Sequence, residues 1–237
     1  MRWTLKPAPN KEKAAKLAAD LQVDIAVANV LCQRNIETFS AAKKYFRPSL
    51  SEIHDPFLMK DMDLATARIE RAIANNENIL IYGDYDVDGT TSVALVSSYL
   101  KTITPNIATY IPDRYAEGYG ISYLGIDFAQ DNDFSLIIAL DCGIKALEKV
   151  AYATERNIDF IICDHHKPGK EIPKAAAVLN PKRADCRYPF DELCGCGVGF
   201  KLIQALGVSR SQSITDFVPY LDLSLIHISE PTRLTMI

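Results

Sequence analysis

The chain has 237 residues, 48% hydrophobic and 24% charged, with 11 glycines and 12 prolines. That is ordinary globular composition. It excludes a disordered, collagen-like or coiled-coil description of the whole chain and leaves room for one large domain or two small ones. Lys and Arg number 26 against 30 Asp and Glu, a formal net charge of -4, which argues against a polybasic binder but permits local basic patches.

The longest apolar runs, such as residues 136–140, fall far short of the roughly 20 residues a membrane helix needs. The opening Met1-Arg2-Trp3-Thr4 has no apolar signal-peptide core. The expectation is a soluble, cytoplasmic, monomeric protein with no membrane partner. Its six cysteines then read as reduced, mostly buried thiols. Cys186, Cys194 and Cys196 cluster, but Cys-x-Cys without a paired second half is a weak zinc pattern.

In chain order, residues 1–75 read as a helical segment. Lys11 to Leu21 places Ala14, Leu17, Ala18 and Leu21 at helical spacing, and Ile25 to Cys32 continues that character. Arg47-Pro48 and His54-Asp55-Pro56 break it, and Leu64 to Ala74 predicts another amphipathic helix. From 76 to 223 short apolar runs alternate with helices. Strands are predicted at 79–82, 107–111, 136–140, 158–163 and 175–179, and helices at 90–101, 121–129, 144–156 and 197–206. Strands that are continuously apolar and separated by helices predict an α/β fold, a parallel sheet with helices on both faces, preceded by the N-terminal helices. Ligands of such sheets sit at the carboxyl ends of the strands.

Those ends carry the chemistry. The first strand runs into Asp84-Tyr85-Asp86-Val87-Asp88-Gly89, three carboxylates at alternate positions that repel one another unless a cation or protons intervene. A helix-capping loop or a calcium loop would be the ordinary alternatives. The calcium loop fails, because Leu95 stands where its closing Glu is required and a strand precedes. The third strand ends in Asp141-Cys142-Gly143 and the fourth in Asp164-His165-His166. Carboxylates with imidazoles suit one or two divalent ions, of the kind that activate water for phosphoester hydrolysis. A dinucleotide-binding reading fails, because the first turn lacks Gly-x-Gly-x-x-Gly and its acids would repel a pyrophosphate.

These three turns resemble the first three motifs of the DHH phosphoesterase superfamily, a Rossmann-like fold. Ile111-Pro112-Asp113-Arg114, Glu117-Gly118-Tyr119-Gly120, Asn180-Pro181-Lys182-Arg183 and the run from Gly195 to Leu202 narrow the likeness to RecJ-type exonucleases. The resemblance, over residues 45 to 223, implies a 5′-to-3′ exonuclease acting on single-stranded DNA. It would release mononucleotides in recombination and repair, with Mn²⁺ or Mg²⁺ as cofactor and a single-stranded-DNA-binding protein as a further partner. It makes Asp84, Asp86 and Asp88 (not all of them direct), Asp141 and His165 metal ligands, sets His166 beside the scissile phosphate or in a second metal sphere, and counts Asp164 with His166 as catalytic. Arg114, Lys167, Lys182 and Arg183 are candidates to grip DNA phosphates, and Tyr119 and Tyr115 to stack on bases.

Other members of the superfamily remain alternatives: an oligoribonuclease, a cyclic-dinucleotide phosphodiesterase, a manganese pyrophosphatase, or a catalytically dead nucleic-acid-binding fragment. The family pattern would continue past Leu223 into a Gly-Thr-x-Ala-Asp segment carrying a fourth carboxylate. Residues 224–237 instead resemble a translated sequencing-adapter end, so a truncated form is expected. His227 and Glu230 are therefore not taken as ligands.

Overall fold

The computed structural model describes Thr4 and residues 6–222; the tail at 224–237 lies outside the described residues. The chain forms two compact units, Met1–Ile53 and His54–Ile237.

The first unit contains α1 (Lys11–Leu21), α2 (Ile25–Gln33) and α3 (Phe39–Phe46). Each is opened by a side-chain cap: Asn10 accepts from the Lys13 N–H, Asp24 from Ala26 and Thr38 from Ala41. Ala14, Leu17, Ala28, Leu31 and Cys32 form its small core. Helix α3 has no counterpart among the predicted elements. Phe39, Ala42 and Phe46 recur at helical spacing, but the stripe spans only eight residues and of these only Ala42 is buried.

The second unit runs α4 (Met62–Ala74), β1 (Asn78–Gly83), α5 (Val87–Leu100), β2 (Ile107–Tyr110) and α6 (Tyr123–Asp131). It continues with β3 (Phe134–Leu140), α7 (Leu147–Thr154), β4 (Asp159–Cys163), β5 (Ala177–Leu179) and α8 (Gly195–Val208). All five strands pair in parallel, in the order β2-β1-β3-β4-β5. Alternate side chains of each strand feed separate cores on the two faces. Ile79, Ile81, Leu136, Ile138 and Ile161 pack with Ile69 of α4, Leu95 and Val96 of α5, and Val198 and Leu202 of α8. Leu80, Tyr82, Ile137, Ala139 and Ile162 pack with Ile126 of α6 and Val150 of α7. Burial on both faces is why these strands read as unbroken apolar runs.

The expected boundary at residue 75 falls differently in the structure. Met62, Ala65, Ile69 and Ala72 of α4 lie in the sheet's own core, and α4 belongs with the second unit. Arg68 fixes it there: its Nε lies 2.5 Å from Asp159 and an Nη lies 2.7 Å from Glu77. Amphipathic spacing marked the helix but could not say which core receives its apolar face. Among the described residues no helix is long and apolar enough to cross a membrane.

From β1 the chain goes to β2 on one side and then to β3 on the other. The connections leaving the carboxyl ends of β1 and β3 therefore diverge and open a crevice, the usual ligand position in a sheet of this order.

Candidate metal centre

Asp84 follows β1 directly and is fully buried. Gly89 packs onto its backbone so closely that a Cβ there would stand 2.3 Å from the Asp84 carbonyl oxygen. Asp86 caps α5, accepting from the Gly89 N–H at 3.0 Å. Asp88 falls inside the first turn of α5, and its carboxylate is engaged by another helix. It accepts the backbone N–H groups of Gly195 and Cys196, each at 2.8 Å, at the start of α8. A carboxylate at a helix N-terminus satisfies amides that have no intrahelical partner and meets the positive end of the helix dipole.

Asp141 follows β3, is buried, and holds a left-handed backbone (φ 59°), a conformation Asp tolerates better than most residues. Its carboxylate faces Gly195, where a Cβ would lie 2.6 Å from Oδ1. All four carboxylate oxygens of Asp84 and Asp141 are buried without a hydrogen bond of ordinary geometry. Burial, joined by the charges of Asp86 and Asp88, pushes Asp141 well above the usual carboxylate range. Burial raises Asp84 too, and the backbone N–H groups of Tyr85 and Gly120 only temper the shift. Two buried acids whose oxygens lack a hydrogen bond of ordinary geometry fit a cation.

The turn after β4 completes the centre. His165 Nε2 lies 3.2 Å from Asp141 Oδ1 and 3.5 Å from Asp88 Oδ2. Asp141, His165 and His166 each offer a ligand atom within 4.8 Å of the others, the one such group among the described residues. Cys186, Cys194 and Cys196 form none. Asp164 has a different place. Oδ1 accepts the N–H groups of His165 (2.7 Å) and His166 (3.0 Å) and the His166 ring Nδ1 (2.7 Å), while Oδ2 accepts the Ile144 N–H at 2.9 Å. Asp164 is thus a fully bonded carboxylate that sets the turn and aims the His166 ring. Burial pulls its pKa up, but these hydrogen bonds outweigh it and hold it low. The same contact raises His166 against the opposing pull of burial. A carboxylate only accepts, so His166 donates from Nδ1 and turns Nε2 toward the Tyr119 hydroxyl, 3.2 Å away.

The other predicted residues divide. Tyr119 reaches the centre through His166. Arg114 is exposed and lies over the Tyr85 ring at 5.3 Å, while Tyr115 is almost wholly exposed. Glu117, which carried no expected role, holds this loop: its carboxylate accepts from the Asp113 N–H, the Tyr110 hydroxyl and Ser122 Oγ. Lys167 is exposed beside His166, and Lys182 is half-buried, 3.8 Å from Glu192. Arg183 departs from its expected role as a phosphate grip. Its guanidinium is buried against Asp61 (2.6 Å), the Val178 carbonyl (2.6 Å) and Asp185 (2.8 and 2.9 Å), so it joins α4 to the end of β5 rather than facing solvent. The position after a strand end marked it as available; only its tertiary partners show otherwise.

A five-stranded parallel sheet with two buried acids and a His pair at its switch point defines the class, and the sequence agrees. The N-terminal domain of the DHH family matches residues 78–226, and the chain belongs to that family. Among curated proteins it is 41% identical over 206 residues to the single-stranded-DNA-specific exonuclease RecJ of Bacillus subtilis, covering 87% of this chain and 26% of that protein. It is 35% identical over 149 residues to RecJ of Escherichia coli, covering 62% and 26%. The chain thus spans about a quarter of the length of these relatives. A solved exonuclease RecJ bound to manganese superposes with TM-score 0.64 at 29% identity, covering 70% of this chain and 42% of that one. RecJ of Thermus thermophilus in complex with Mn²⁺ superposes with TM-score 0.74 over 94% of this chain and 31% of that one. At 24% identity it supports the fold alone.

Proposed function

We propose that this chain carries the metal-binding half of a 5′-to-3′ exonuclease that hydrolyses single-stranded DNA to mononucleotides. The observation that carries the reading is the pair of buried carboxylates without a hydrogen bond of ordinary geometry, Asp84 and Asp141, beside His165 and His166 at the sheet's switch point. Similarity to RecJ proteins supports the substrate, and the manganese and magnesium complexes of solved RecJ structures support Mn²⁺ or Mg²⁺ as cofactor.

In this reading Asp84, Asp141, His165 and His166 hold the ion or ions, with Asp86 at the rim. A bound divalent ion supplies Lewis acidity toward a phosphate oxygen and toward water. Asp88 keeps α8 seated against the site. Asp164 fixes the proton on His166 Nδ1 and so leaves Nε2 directed into the crevice. Arg114, on its glutamate-braced loop, receives a backbone phosphate, and Lys167 adds charge at the same edge. The family resemblance adds a cytoplasmic role in recombination and repair and a single-stranded-DNA-binding protein as partner.

The test is release of mononucleotides from 5′-labelled single-stranded DNA with Mn²⁺, beside an Asp84→Asn/Asp141→Asn control. Release that the control abolishes supports the reading. Release that persists in the control sinks it.

A further inference from the structure

Beside the metal centre, an open cleft of about 240 Å³ lies between the turn after β3 and the loop before α6. Tyr119, Ile121 and Ile144 line it with Lys145 and Lys149, and His166 stands at its inner end. Its volume is below the roughly 300 Å³ at which pockets for drug-sized molecules begin, so it suits one small unit of a longer ligand.

The two lysines are placed against local preference. Lys145 stands just before the N-cap of α7 and Lys149 lies in its first turn, the end of a helix where positive charge is disfavoured. Helix α7 has no capping side chain: its N-cap is Ala146. Glu148, between the lysines, is exposed, and neither lysine has a carboxylate partner within ion-pair distance among the described residues. Lys149 instead rests over the Tyr123 ring at 5.9 Å. The one carboxylate in the cleft, Asp164, has both oxygens engaged and is paired with His166. Two cations without anions thus rim a cleft whose walls are an aromatic ring and two isoleucines.

We infer that this cleft binds one nucleotide unit of a single strand, its ring against Tyr119 and its phosphate between Lys145 and Lys149. The inference rests on the nuclease reading and adds to it the place of the unit adjoining the one at the metal centre. Stacking against an aromatic side chain and neutralising a phosphate are both indifferent to base identity, as a strand-degrading enzyme requires.

The test is binding of a 3′-fluorescent, 5′-phosphorylated oligothymidylate to the full chain, read by anisotropy across a salt series. Ca²⁺ replaces Mn²⁺ so that binding is measured apart from cutting. Lys145→Gln/Lys149→Gln is expected to weaken binding about tenfold and to flatten the log-affinity against log-salt slope by about 0.7 for each phosphate no longer neutralised. Lys101→Gln, at the far end of α5, is the charge control and is expected to change the slope little. Equal affinity and slope in the double variant and the unsubstituted chain would overturn the inference, as would a control that loses as much as the double variant. An unsubstituted chain that binds no strand also overturns it. Manganese-dependent hydrolysis of bis(p-nitrophenyl) phosphate by that same chain then shows whether the nuclease reading survives. Circular dichroism establishes that the variants are folded.

Discussion

The carboxylate of Asp88 and the backbone N–H of Gly195 meet at 2.8 Å across 107 positions of chain. With Cys196 donating to the other oxygen, one acid in the first turn of α5 seals the N-terminus of α8. The contact brings Gly195 against Asp141, so the seating of one helix and the shape of the candidate centre are a single packing problem.

Gly195→Ala tests that coupling. Its Cβ would stand 2.6 Å from the Asp141 carboxylate, and either α8 or the acid must move. The expected outcome is a loss of about 1–3 kcal/mol in denaturant unfolding, together with weaker Mn²⁺ binding by calorimetric titration. Unchanged Mn²⁺ affinity would show that the close approach does not shape the centre.

Asp84 and Asp141 give a prediction of opposite sign. Both are held above the ordinary carboxylate range, so the metal-free folded chain keeps protons that the unfolded chain releases above about pH 4. Their contribution is intact below that pH and is lost as pH rises through the raised folded values. At neutral pH without metal, Asp84→Asn is therefore expected to stabilise the fold by about 1–3 kcal/mol and to reduce the rise in Tm that Mn²⁺ produces. Thermal melts with and without Mn²⁺ check both; a variant less stable than the parent without metal would contradict the burial argument.

For Asp164 and His166 the shifts are mutually supportive. The lowered acid contributes above its unfolded pKa of about 4 and loses that contribution as pH falls through its folded value. The raised imidazole contributes fully below about pH 6.5 and loses it as pH rises through its own. Asp164→Asn is expected to cost about 3–5 kcal/mol and to move the His166 ring titration downward by NMR. An unmoved titration would mean that another group sets the ring.

Lys201 is buried in α8, donating to the His54 carbonyl at 2.7 Å and to Gln204 at 2.8 Å, and burial pulls its pKa down to about 8. The unfolded lysine holds its proton to about pH 10.4, so this group's penalty is full below pH 8 and is relieved between pH 8 and about 10.4. Buried thiols such as Cys163 act the other way over that range, so the informative quantity is a difference. The stability of the parent minus that of Lys201→Met is expected to rise with pH across the window. A flat difference would show that Lys201 titrates normally.

The two arginines after strand ends should separate cleanly. Arg183→Ala is expected to lower stability by about 3 kcal/mol, since it strands Asp61 and the Val178 carbonyl. Arg114→Ala, from an exposed position, is expected to leave Tm within about 1 °C and to weaken binding of single-stranded DNA. Equal effects of both on Tm would contradict their different burial.

Much of this protein is written in local chemistry. The apolar runs of the five strands, the alternation with helices and the acids and histidines placed after β1, β3 and β4 each depend only on neighbours in the chain, so the sequence by itself determined the α/β class and the candidate centre. What it could not determine were relations between distant positions. That Asp88 accepts from the start of α8, that Asp164 is bonded to its own turn and to the His166 ring, that Arg183 is enclosed and that α4 belongs to the sheet all follow from which surfaces meet. A carboxylate or guanidinium has the same local signature whether it faces a cation, an amide or solvent. Its partner is decided by close packing of elements a hundred residues apart, and only the tertiary structure supplies that.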